Sequence, residues 1–96
     1  MKIFISIASY QDPLLKATIN SAYNNANNPE NLIFGICDQS NEPLDTKSFA
    51  FSNQIKCEHI DPKISEGPCW ARKRVQHFYN NEDYYFQIDS HMQFEQ

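Results

Sequence analysis

Apolar positions along the chain follow two rhythms. Residues 2–8, KIFISIA, alternate and are rich in β-branched and aromatic side chains, which predicts a buried first strand. The rhythm then changes: Leu15, Ile19, Ala22 and Ala26 recur at helical spacing, with Asp12 as a candidate N-cap and Pro13 at the first helical position. The polar cluster NNANNPEN predicts the end of that helix. NLIFGICD, residues 31–38, is almost continuously apolar, as expected for a strand covered on both faces.

Residues 39–54 show no period and carry turn formers, so a long loop with a short helical turn is expected. IKCEHID alternates as a third strand. Residues 67–80, GPCWARKRVQHFYN, place Ala71, Val75 and Phe78 on one helical face with Pro68 at the start. YYFQID closes the pattern as a fourth strand. The order β-α-β-β-α-β predicts a three-layer α/β fold with a mostly parallel sheet and right-handed crossovers, one domain over 1–96. Such sheets take ligands beyond the carboxyl ends of their strands, which singles out Ser9, Tyr10 and Asp12, then Asp38, then Asp89 and His91.

Composition narrows the function classes. The 96 residues can bury a small core. A formal net charge of −4 argues against nucleic acid or an anionic membrane as partner, because both leave a basic footprint on the proteins that bind them. Three widely spaced cysteines, Cys37, Cys57 and Cys69, form no C-x-x-C pair and are expected to be reduced and mostly buried. The opening MKIFISIASY is too short for a membrane span and lacks a small-residue cleavage site, so the expected location is the cytoplasm.

Several residues could carry chemistry, each with a plainer alternative. Asp89 and His91, two apart in an extended segment, project to one side, where a carboxylate and an imidazole could chelate a divalent cation such as manganese. The plainer use is a turn-capping aspartate beside an exposed loop histidine. Cys57 and His59 invite zinc with Cys69 or His77, but the spacing does not match short zinc motifs, and core packing is the commoner use. Gly67 and Pro68 open a helix whose N-terminus suits phosphate, with Arg72 one turn further in. Arg72, Lys73 and Arg74 are adjacent on the helix and cannot all face one site, so at least one of them is expected to be a solvated surface charge. Tyr10 could stack on a flat ring or close a strand end, and Asp38 could accept from a base N–H or cap the following loop.

Taken together, IFISIASYQDPLLKATINSA, NLIFGICDQ, GPCWARKRVQ and EDYYFQIDSHMQF resemble the N-terminal half of the cytoplasmic N-acetylglucosaminyltransferase family that modifies hydroxyproline on a ubiquitin-ligase adaptor. They are more distantly similar to the polypeptide N-acetylgalactosaminyltransferases. The resemblance implies a GT-A fold with a D-x-H triplet in place of the more usual D-x-D. Asp89 and His91 would then hold Mn²⁺ against the diphosphate of UDP-GlcNAc, with GlcNAc passing to a hydroxyl of a protein acceptor. It also implies that Tyr10 lies against uracil and Asp38 accepts its ring N–H. Arg72 would reach the uracil or phosphate, and Gly67 would admit a close backbone approach; Ser9 and Asp12 join the expected donor site by their place after the first strand.

A whole GT-A domain is longer than this chain, so the expectation is a donor-binding half that needs further parts for transfer. The alternative is a non-catalytic nucleotide-sugar-binding or interaction module. Unpaired sheet edges would favour self-association in either case.

Overall fold

The computed structural model describes residues 1–88. Four strands and two helices alternate in the expected order: β1 (Ile3–Tyr10), α1 (Leu15–Asn25), β2 (Leu32–Gln39), β3 (Ile55–Ile60), α2 (Pro68–Gln76) and β4 (Tyr84–Ile88). Every strand pair is parallel, and the spatial order is β3-β2-β1-β4. The chain thus moves outward from β1 through β2 to β3, then returns past β1 to lay down β4.

That reversal decides where the helices lie. Right-handed crossovers running in one direction put their connections on one face, and a crossover running back puts its connection on the other. Accordingly α1 and the β2–β3 connection cover one face, where Ile5, Ile7, Leu15, Ile19, Ala22, Leu32, Phe34, Ile36, Phe49 and Phe51 are buried together. On the opposite face α2 packs Ala71 and Val75 with Phe4, Cys37 and Ile60. The result is a three-layer α/β/α stack. Among the described residues no helix is long and apolar enough to cross a membrane.

Two boundaries differ from the sequence reading. The first helix begins at Leu15, not at Asp12 or Pro13: the Asp12 carboxylate accepts from the Leu14 N–H at 2.8 Å, closing a turn ahead of the helix. The second helix ends at Gln76, and the chain turns through His77 and Phe78 before β4.

The β2–β3 connection is also more than a loop. Short 3-10 turns at Thr46–Ser48 and Ser52–Gln54 bracket Phe49 and Phe51, both buried. Phe51 stacks flat on Tyr23 of α1, ring centres 3.7 Å apart and planes 3° from parallel. Two aromatic side chains thus do the covering work that a helix does after β1.

On the α2 face a different device closes the packing. The Phe4 ring lies directly over Gly35 of β2, and a Cβ on that residue would overlap the ring. Glycine is required there for space, since the strand backbone is ordinary.

Candidate functional site

Strand alternation sorts the candidate residues before any pocket is considered. Ser9 lies level with Asp38, and Tyr10 with Gln39, across β1 and β2. Because Ile5, Ile7, Phe34 and Ile36 face α1, the period of two sends Ser9 and Asp38 to the α1 face and Tyr10 and Gln39 to the α2 face. The residues singled out at the strand ends therefore divide across the sheet.

On the α2 face, Ala8, Tyr10, Gln39, Ser65 and Gly67 line a pocket of about 310 Å³. Tyr10 is 56% exposed, its ring free to meet a ligand, whereas Gln39 is only 2% exposed. The Gln39 Nε2 donates to the Ser9 carbonyl at 2.9 Å, and its Oε1 accepts from the Ser65 hydroxyl. The Ser65 oxygen in turn accepts from the Gly67 N–H at 3.3 Å. This chain of bonds ties the strand ends to the start of α2.

Gly67 has φ 100°, a backbone geometry that side chains strongly disfavour, and a Cβ there would meet nothing within 4 Å. Conformation, not crowding, demands glycine at this point. Beyond it the first turn of α2 presents backbone N–H groups with the partial positive charge of a helix N-terminus.

The three cations of α2 separate. The Arg74 Nε and Nη2 donate to the two carboxylate oxygens of Glu58 on β3 at 2.5 and 2.8 Å, and its guanidinium lies 5.2 Å from the centre of the Trp70 ring. Those hydrogen bonds, ahead of any other influence, hold the Glu58 carboxyl below its usual range. Arg72 sits about 200° around the helix from Arg74, on the flank away from β3. It is half-buried and, among the described residues, has no hydrogen-bond or ion-pair partner. Lys73 points to solvent.

On the α1 face a second concavity, about 470 Å³, is lined by Gln11, Asp12, Lys16, Asp38, Glu42 and Leu44 among others. Two of its carboxylates, Asp12 and Asp38, brace the protein's own backbone. The Asp38 Oδ2, almost fully buried, accepts from the Leu44 N–H at 2.8 Å and so anchors the loop after β2. Ser9, level with Asp38, has a buried hydroxyl with no partner among the described residues.

The zinc alternative is divided by the sheet. Cys57 packs with the α1-side core, and the Nε2 of His59 is 2.7 Å from the Ser40 carbonyl, while Cys69 belongs to α2 on the opposite side. Among the described residues no cluster of three or more His, Cys, Asp or Glu could hold a metal. Burial, reinforced by Glu58, pushes the Cys37 thiol up to about 11; burial, reinforced by Asp38, pushes Cys57 up to about 12. Both are neutral thiols at physiological pH. Cys69 is exposed, contrary to the expectation of mostly buried cysteines.

Asp89 and His91 lie outside the described residues. β4 is described as far as Ile88, level with Ile7 of β1, so it runs toward the same sheet end as Tyr10. Gln39 and Ser65 were missed by sequence reasoning. The signal for Gln39 was present: carrying the alternation of β2 one residue past Asp38 puts an amide beside Tyr10. Ser65 had no such signal, because its place depends on how the segment before α2 folds back.

The pocket lies beyond the carboxyl ends of parallel strands, beside a helix N-terminus and next to the point where strand order reverses, the place where open α/β sheets generally take ligands. A family model described as Glycosyltransferase (GlcNAc) matches residues 2–50 and 41–96, nearly the whole chain between them, and the chain belongs to that family. No curated protein and no solved structure matches it.

Proposed function

We propose that the chain is the donor-binding part of a GT-A glycosyltransferase that uses UDP-GlcNAc and transfers GlcNAc to a hydroxyl on a protein acceptor in the cytoplasm. One observation carries this reading: in a member of a GlcNAc glycosyltransferase family, the exposed Tyr10 ring, the buried Gln39 amide and the positive-φ Gly67 at the start of α2 share one pocket. A flat base on Tyr10 and a diphosphate toward the α2 N-terminus match the chemistry of those groups. Arg72, on the flank of α2 away from β3 and without an ion-pair partner among the described residues, supplies positive charge for the phosphates.

Asp89 and His91 are the proposed ligands of Mn²⁺ or another divalent cation. Such an ion neutralises charge on the departing diphosphate. Asp38, Asp12 and Ser9 act from the other face, the two carboxylates by fixing the backbone at Leu44 and Leu14. The acidic net charge supports a partner other than nucleic acid, and the hydroxyproline-directed enzymes are the proposed functional parallel.

A second reading, an interaction module, has its own support. Tyr84, Tyr85 and Phe86 of β4 are exposed, Phe86 to 52%, and among the described residues no strand covers the outer edge of β4. Association of the chain through that edge is the proposal here.

Calorimetric titration of UDP-GlcNAc into the chain with Mn²⁺, repeated with EDTA, tests the donor reading. Binding that needs the metal and is lost in Asp89→Ala and Tyr10→Ala is the expected result. A folded protein that takes up no UDP-GlcNAc in Mn²⁺ would eliminate it and leave the interaction module.

A further inference from the structure

Resting on the donor reading above, we infer that Gln39 is the residue that selects the base, and that the Ser9 and Ser65 bonds give it that power by fixing which way its amide points. A glutamine amide carries two N–H donors and two acceptor lone pairs, and rotating its end group by a half-turn exchanges them. An unrestrained amide can therefore serve opposite hydrogen-bond patterns equally well.

Gln39 is restrained. The Ser9 carbonyl, 2.9 Å from Nε2, is purely an acceptor, so the nitrogen must stay on that side. The Ser65 hydroxyl holds the oxygen on the other, and Ser65 is itself tied to the Gly67 N–H at 3.3 Å. One N–H and one lone pair remain unused by these bonds, on a side chain 2% exposed that lines the same pocket as Tyr10. The pocket wall thus offers one donor and one acceptor in a fixed order.

Pyrimidines differ in that order. A pyrimidine-2,4-dione presents an N–H at ring position 3 and a carbonyl at position 4; cytosine presents a bare nitrogen and an amino group at the same places. With the ring stacked on Tyr10 and the diphosphate held at α2, a fixed amide satisfies one pattern and leaves the other with facing donors and facing acceptors. Buried mismatches of this kind are rejected more strongly than missing apolar contacts. With the donor reading supplying a uridine-type nucleotide, the fixed amide orientation is what rejects the cytidine pattern.

Gln39→Met keeps the side-chain length and removes both polar groups. The test is calorimetry of UDP, CDP and N3-methyl-UDP, with Mn²⁺ present, on the wild type and this variant. The expected wild-type result is binding of CDP and N3-methyl-UDP at least about tenfold weaker than UDP. In Gln39→Met the UDP and CDP affinities should converge to within about threefold, with metal dependence retained. Wild-type protein that binds UDP and CDP alike, or a variant that keeps the full preference, overturns the role of Gln39 while the donor reading stands. Wild-type protein that binds no UDP removes the donor reading and this inference with it. If circular dichroism finds Gln39→Met unfolded, the wild-type ligand series decides on its own: a preference for UDP over both CDP and N3-methyl-UDP supports the inference, and its absence overturns it.

Discussion

At their carboxyl ends β1 and β2 make two unlike surfaces from neighbouring residues. On the α1 side Asp12 and Asp38 commit carboxylate oxygens to the Leu14 and Leu44 backbone, and Phe49 and Phe51 fill the space behind them. On the α2 side Tyr10 stands exposed, Gln39 keeps bonding capacity in hand, and Gly67 opens a helix N-terminus. The larger concavity is thus the one whose two aspartates are already employed. Parity separates carboxylates already committed to the backbone from an exposed ring and an amide that keeps bonding capacity.

The sharpest contrast should come from two aromatic truncations. Phe51→Ala removes a ring stacked on Tyr23 and touching Phe34 and Phe49, and should cost about 3 to 5 kcal/mol by urea denaturation. Tyr10→Ala should leave stability within about 0.5 kcal/mol and weaken UDP binding about tenfold or more, seen by calorimetry. Equal losses of stability in the two variants would break the division between the faces.

Gly35→Val comes next, at about 3 kcal/mol, because the Phe4 ring occupies the place of the new side chain. Pairing it with Phe4→Leu should recover part of that loss in the same assay. Asp38→Ala should cost about 1 to 2 kcal/mol by stranding the part-buried Leu44 N–H, with UDP affinity per folded molecule changed less than about twofold.

A smaller effect concerns pH. The carboxyl of Glu58 is held low by Arg74, so its contribution is complete above the usual carboxylate range and fades as pH falls through the depressed value. The acid-side loss of thermal stability should therefore be slightly reduced in Glu58→Gln, which starts without that contribution. Its size is small because both partners are partly exposed. Among the thiols, Cys69 should react with iodoacetamide at neutral pH well before Cys37 and Cys57, followed by mass spectrometry.

Much of this is legible in the residues. The alternation of KIFISIA, the run LIFGIC and the helical spacing of Leu15, Ile19 and Ala22 specify parallel strands and a crossover, because short-range periodicity records which face is buried. The covering role of Phe49 and Phe51 is not legible, since two apolar residues in a polar stretch carry no period. Asp38 stands out as a strand-end group because it is the first polar residue after an apolar run. The strand nonetheless continues through Gln39, and that one residue moves attention from the carboxylate to the amide. Ser65 joins the pocket only through the fold of the segment before α2, which spacing along the chain cannot express.

The central place of β1 has a consequence for how the chain comes into being. The Lys2 N–H donates to Asp83 at 2.8 Å, and the Tyr84 N–H donates to the Lys2 carbonyl at 3.2 Å, contacts that join the two extremes of the described chain. During synthesis β2 and β3 emerge and can pair while the other side of β1 still waits for Tyr84–Ile88. β4 must find β1, the strand pairing of longest sequence separation among the described residues, so its docking belongs to the late steps of folding. Until then the backbone of Ile3–Ile7 is bare on one side, and a nascent chain has most need of a chaperone in that interval.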